Sequence, residues 1–144
     1  MKPEIRCKNC RPRPSELTTS DKLARLYAQQ EDIDDVLKTV SPTLEFLNKL
    51  LETLDFAIGE VEEVEEEYSI SADNMEEYFP GSYQVDEIRD KADACAEWRD
   101  ELENVKDEVE ALIDEWEQLD EKERITRIDK IVDVVEDAIS SLRL

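Results

Sequence analysis

Histidine is absent from the 144 residues, and glycine occurs only twice. Without histidine the usual general base of a nucleophilic triad is missing. The Glu-x-x-His pair of a ferritin-like di-iron site is missing too. Two glycines leave no loop that cradles phosphates. No apolar run approaches the roughly 20 residues needed to cross a bilayer, and the N-terminus lacks the apolar segment of a secretory signal. Three cysteines, an odd number, build no disulfide framework. These absences predict a cytoplasmic protein without catalytic activity, in the host cytoplasm if the chain is viral.

The most pointed absence is of basic residues. None lies between Lys49 and Arg89, an interval holding 13 carboxylates. At its centre Glu60, Glu62, Glu63, Glu65, Glu66 and Glu67 place six carboxylates in eight residues. On a helix rising about 1.5 Å per residue, that is one charge per roughly 2 Å. Duplex DNA carries one per about 1.7 Å. The whole chain has a net charge of −22, which opposes direct contact with nucleic acid or an anionic membrane and favours basic proteins. General solvation, as in proteins adapted to high salt, is the alternative explanation. Residues 1–14 run against the trend, with Lys2, Arg6, Lys8, Arg11 and Arg13 against Glu4, a net of +4.

Apolar spacing predicts an all-α chain. Residues 1–19, with three prolines and a Cys-x-x-Cys, form a basic tail, and residues 20–144 a single acidic helical domain. A first helix near 21–40 starts at Ser20, a suitable N-cap. Ser41-Pro42 signals a restart, yet Ile33, Leu37, Val40, Leu44, Leu47, Leu51, Leu54, Ile58 and Val61 keep a 3.5-residue period across it. Either two helices meet at a tight joint at 41 or one helix kinks there. The second helix, about 42–68, ends in the glutamates, where the helix dipole disfavours negative charge. A short irregular acidic and aromatic connector, 69–85, is associated with Tyr68, Tyr78, Phe79 and Tyr83, which are expected to plug the end of a hairpin or to form a contact patch. A third helix, about 86–119, carries Ile88, Ala92, Cys95, Leu102, Val105, Val109, Leu112, Trp116 and Leu119, with Arg99 where an apolar residue is expected. After Asp120 a last helix, about 121–142, carries Ile125, Ile128, Val132, Val135, Ile139 and Leu142. The architecture expected is an elongated antiparallel bundle or coiled-coil hairpin of three to four long helices. Narrow apolar stripes also predict self-association.

Two constellations bear on chemistry. Cys7 and Cys10 have the spacing that grips one edge of a tetrahedral zinc, but no histidine completes the set. A zinc there would be shared between two chains or borrow carboxylates; chance or structural cysteines are the bland alternative. Glu63 and Glu66, followed by Glu87 and Asp90, repeat the ExxE…ExxD order. At these four positions the chain resembles the all-α nucleotide pyrophosphohydrolases of the MazG type, which implies magnesium held by helix carboxylates.

In size and charge the chain is similar to phage-encoded DNA mimics, such as anti-restriction and anti-CRISPR inhibitors. That likeness implies an acidic protein-binding module that blocks the basic groove of a nucleic-acid-binding protein. The residues expected to carry it are Glu60, Glu62, Glu63, Glu65, Glu66, Glu67, Asp73, Glu76 and Glu77, with Tyr68 and Tyr78 as anchors. The alternative is a coiled-coil scaffold, adaptor or assembly chaperone, in which the apolar seam matters and the charge only solvates.

Overall fold

Each helix starts at a side chain that satisfies an otherwise unpaired backbone donor. The computed structural model describes residues 20–142. In it the Leu23 N–H donates to Ser20 Oγ at 3.4 Å, opening α1 (Asp21–Leu37). The Phe46 N–H donates to Thr43 Oγ1 at 3.3 Å, opening α2 (Leu44–Tyr78). The Gln84 N–H donates to Ser82 Oγ at the head of α3 (Tyr83–Glu115). The Glu123 N–H donates to Asp120 Oδ1 at 2.8 Å, opening α4 (Glu121–Ile139). A 3-10 turn, Trp116–Gln118, joins the last two helices.

The joint at 41 therefore separates two helices, and its cap is Thr43 rather than Ser41. Ser41 Oγ instead hydrogen-bonds Thr43 Oγ1 at 2.8 Å, so Pro42 lies in the joint and not in the first helical turn. A larger correction concerns residues 69–85. Instead of an irregular connector, α2 continues unbroken to Tyr78. Only Phe79–Ser82 turns the chain, with Gly81 at φ 77°, a conformation that a Cβ disfavours. The glutamate run is thus mid-helix, so the dipole penalty expected for it does not arise.

The four α-helices pack together, with α2 against α3 as the most extensive pairing. Next to it α1 lies along α2, α4 lies along α3, and α1 and α4 touch. One core joins them. Leu26 and Ile33 of α1, Leu47, Leu50, Leu54, Val61 and Val64 of α2, Cys95, Leu102, Val109 and Leu112 of α3, and Val135 of α4 are fully buried. Each such Leu, Ile or Val side chain contributes about 1.5–3 kcal/mol through removal from water. Of the seam that predicts self-association, Ile33, Leu37, Leu47, Leu54, Ile58 and Val61 are buried within the chain, Leu44 and Leu51 are partly buried, and Val40 is exposed.

Trp98 takes the core place at the anomalous step of α3, and its neighbour Arg99 is turned aside to pair with Glu65. The Trp98 Nε1–H donates to the Ala138 carbonyl at 2.8 Å, holding the end of α4 on α3. At the opposite end of α4, Arg124 lies over the Trp116 ring at 4.9 Å and donates twice to the Trp116 carbonyl. This clasp fixes the turn where the apolar phase slips. The slip changes the buried stripe of α4 to Ile128, Ile131, Val135 and Ala138, leaving Ile125 exposed.

Gln29 is the discordant core residue. It is 4% exposed, and its Oε1 has no hydrogen-bond partner. An unmet buried acceptor costs about 1–3 kcal/mol. Gln29→Leu, of similar volume, is therefore expected to raise unfolding stability by about 1–2 kcal/mol. Urea titration of both forms measures this; an unchanged or lower midpoint contradicts the assignment.

Candidate protein-binding surface

A helix advances about 100° per residue, so eight consecutive positions cannot face one way. The structure divides the Glu60–Glu67 run accordingly. Glu60, Glu63 and Glu67, spaced by three and four, converge on Arg25 of α1. Glu60 Oε2 lies 3.6 Å from Arg25 Nε, Glu63 Oε2 lies 3.0 Å from Nη2, and Glu67 bonds Nη1. The hydrogen bond with Glu67 holds the Arg25 guanidinium pKa above its ordinary value. On the other side Glu65 pairs with Arg99 of α3. The unbroken line of outward charge expected from the sequence is therefore not formed. Four of its six carboxylates clamp neighbouring helices.

Glu62 and Glu66 remain. Both are exposed, and neither takes part in an ion pair among the described residues. They share a stripe with Asp73 and Glu77, since steps of four, seven and four return to one face of the helix. Asp73 and Glu76 are exposed and reach Arg89 of α3, Asp73 Oδ1 lying 3.0 Å from Nη2. Glu77 is exposed, without an ion pair among the described residues. Two large apolar side chains, Phe56 and Ile70, are exposed on the same helix, 63% and 52% respectively.

The aromatics also divide. Tyr68 is buried, with its hydroxyl pKa raised by desolvation. Lys22 lies 5.4 Å from its ring centroid. As an anchor for a partner Tyr68 is ruled out: it faces α1. Tyr78, Phe79 and Tyr83 instead stand 75%, 65% and 69% exposed around the turn from α2 to α3. They do not plug the hairpin. α1 begins beside Tyr68 and α4 ends beside Trp98, so neither reaches far enough to cover them. Beyond Tyr68 and Ala92 the pair α2–α3 continues outside the main core, with Ala72 and Val85 buried there.

Sequence pattern missed Phe56, Ile70 and the exposure of Phe79 and Tyr83. The first two carry a usable signal: both are large apolar residues standing off the 3.5-residue seam. The exposure of the aromatics follows from where α1 and α4 stop, which spacing within α2 does not encode.

The four carboxylates nominated for magnesium do not converge. Arg89, one residue before Asp90, is opposite Asp73 and Glu76. Glu66 lies seven residues before Asp73, about 10 Å along the axis, and Glu63 is engaged by Arg25. Among the described residues no group of three or more His, Cys, Asp or Glu is placed to hold a metal ion. Cys7 and Cys10 lie outside the described residues. A cavity of about 190 Å³ beside Trp98, Glu97 and Glu101 falls below the roughly 300 Å³ of ordinary small-molecule sites. No described helix is long and apolar enough to cross a membrane.

Cys95 is fully buried, and desolvation pushes its thiol up to about 11 from an ordinary 9.0. Between those values the unfolded chain has lost the proton that the folded chain retains. Stability therefore falls as pH rises from 9 to 11, by up to about 3 kcal/mol. Urea midpoints at the two ends of this window test it. Cys95→Ala is expected to flatten the fall, and an equally steep fall in that variant contradicts the assignment.

Comparison with family models, with curated proteins and with solved structures finds no match for this chain.

Proposed function

We propose that this chain is an acidic protein-binding module that occupies a basic groove otherwise used by nucleic acid. One observation carries the reading. The end of the α2–α3 hairpin bears three exposed aromatics, Tyr78, Phe79 and Tyr83, next to the exposed carboxylate of Glu77, and the exposed Glu66 and Glu62 continue the stripe back along α2, about 18 and 24 Å from Tyr78; none of the three carboxylates has an ion pair among the described residues. Aromatic rings that stand free beside negative charge suit arginine-rich surfaces: the rings stack on guanidinium planes while the carboxylates form charge-assisted hydrogen bonds. Anchors of this kind dominate interface energies. The mechanism is competitive exclusion, with association that is fast and salt-sensitive. An elongated hairpin suits it, since α2 and α3 extend beyond the four-helix core.

The coiled-coil scaffold reading relies on a free apolar seam at Leu47, Leu51 and Leu54, of which Leu47 and Leu54 are fully buried and Leu51 is partly buried within the chain. The decoy reading uses surface that the fold leaves open.

Affinity capture from source lysate, at low and high salt, with and without competing duplex DNA, tests the proposal. The expected result is retention of nucleic-acid-binding proteins that both salt and DNA release. A captured set unaffected by DNA sinks the decoy mechanism. Capture of this chain alone, or of structural proteins that salt does not release, favours the scaffold.

A further inference from the structure

A surface of the opposite charge lies toward the other end of the molecule. Residues 122–130 of α4 hold Lys122, Arg124, Arg127 and Lys130 against Glu123 and Asp129, a net of +2 in a chain of −22. Arg124 is held by the Trp116 carbonyl, and Arg127 lies 3.0 Å from Glu115. Lys122 and Lys130 are exposed, and neither has an ion pair among the described residues. Steps of four place Lys122, Thr126 and Lys130 in one stripe, about 12 Å from end to end. Beside it a surface depression of about 240 Å³ is lined by Lys122, Glu123, Thr126 and Arg127. A cavity of about 150 Å³ takes a benzene, so the depression has room for an aromatic ring. The stripe and the exposed rings cannot meet within one chain. Tyr83 to Trp98 is about 22 Å of α3, and Ala138 to Lys130 about 12 Å more of α4, with Trp98 bonding the Ala138 carbonyl between them. The stripe therefore starts roughly 34 Å from the hairpin end.

We propose that the hairpin end of one copy docks on the α4 stripe of Lys122, Thr126 and Lys130 of another, joining copies head to tail. Glu77, Asp86 and Glu87 are exposed at the hairpin end and have no ion pair among the described residues. Glu77 stands on α2 and the other two on α3. Packed helix axes lie about 8–10 Å apart, close to the roughly 12 Å that separates the two lysines. One exposed ring, of Tyr78, Phe79 or Tyr83, enters the depression beside Thr126 while carboxylates on either side reach the lysines. The two surfaces differ, so the contact is heterologous. It builds open chains of copies, or a ring where the rotation closes. End-to-end placement also limits the repulsion between acidic bodies. Most of their charge stays farther apart than the screening length of about 8 Å at physiological salt, and opposite charges meet at the contact. This association goes beyond the decoy reading and does not depend on it. Both use the hairpin end, so a bound partner caps the assembly.

Sedimentation velocity of the full chain, under reducing conditions and up to millimolar concentration, tests the proposal. At physiological salt the expected result is a series of species larger than one chain, which grows with concentration and shrinks at high salt. Two variants divide the contact. Lys122→Gln with Lys130→Gln neutralises the stripe and keeps the hairpin end. Glu77→Gln, Asp86→Asn and Glu87→Gln together neutralise the hairpin end and keep the stripe. Each alone is expected to need about tenfold more protein to assemble. The five side chains are exposed, and circular dichroism confirms that both variants stay helical. Mixed one to one, the variants retain a single working contact per pair, so they are expected to form dimers and nothing larger. An unaltered chain that stays single throughout the series overturns the proposal. So does assembly that salt leaves unchanged, a variant that assembles as the unaltered chain does, or a mixture that stays single or grows past two.

Discussion

Replacing Glu62, Glu66 and Glu77 by lysine is expected to weaken partner capture about a hundredfold, a loss near 3 kcal/mol. The same change is expected to leave the fold intact or to stabilise it. The three side chains are exposed and bridge no other element among the described residues, so reversal breaks no interhelical bond. It also lowers the net negative charge by six from −22, which relieves self-repulsion. Reversing Glu60, Glu63 and Glu67, from the same eight-residue run, has the opposite signature. Three lysines would then surround Arg25, which those carboxylates now bind, and α1 would be driven off α2. Thermal unfolding and capture on both triple variants separate the roles. Equal loss of capture without loss of stability in both would mean that the division of the run is functionally irrelevant.

Trp98→Ala is expected to lower stability by about 3–5 kcal/mol, a large part of the 5–15 kcal/mol typical of a domain. The indole is 1% exposed and joins two helices, by packing within α3 and by its hydrogen bond to the Ala138 carbonyl. Removing it leaves a cavity and an unmet acceptor at the end of α4. Denaturant titration measures the total. Hydrogen exchange then locates the damage: amides of Val134–Ile139 should lose protection before those of α2. A uniform loss across the four helices would contradict the assignment of Trp98 as the fastening of α4.

Much of the helical plan was legible in residue spacing. Ser20 and Asp120 cap their helices as expected, and Cys95 is a small core residue. Local rules misled where an element's neighbours decide its fate. Polar and aromatic residues at 69–85 suggest a break, but Ala72 and Val85 find burial between α2 and α3, and pairing carries α2 on to Tyr78. Arg99 breaks the apolar stripe of α3 because Trp98 fills the core one residue earlier. The glutamate run looks like one anionic surface only until its 100° advance per residue is set against the positions of Arg25 and Arg99. Arg25 lies 35 residues in sequence from Glu60, and Arg99 lies 34 from Glu65. Charge composition indicated a binding surface, whereas its location depends on where α1 and α4 end.

Amide hydrogen exchange of the chain, free and in complex with its captured partner, tests the central claim most directly. Protection gained from Glu62 through Asp90, centred on the Phe79–Ser82 turn and smaller at high salt, is the predicted result. A footprint on α4 or on the α3–α4 groove, with Tyr78 to Tyr83 exchanging as in the free chain, would contradict it.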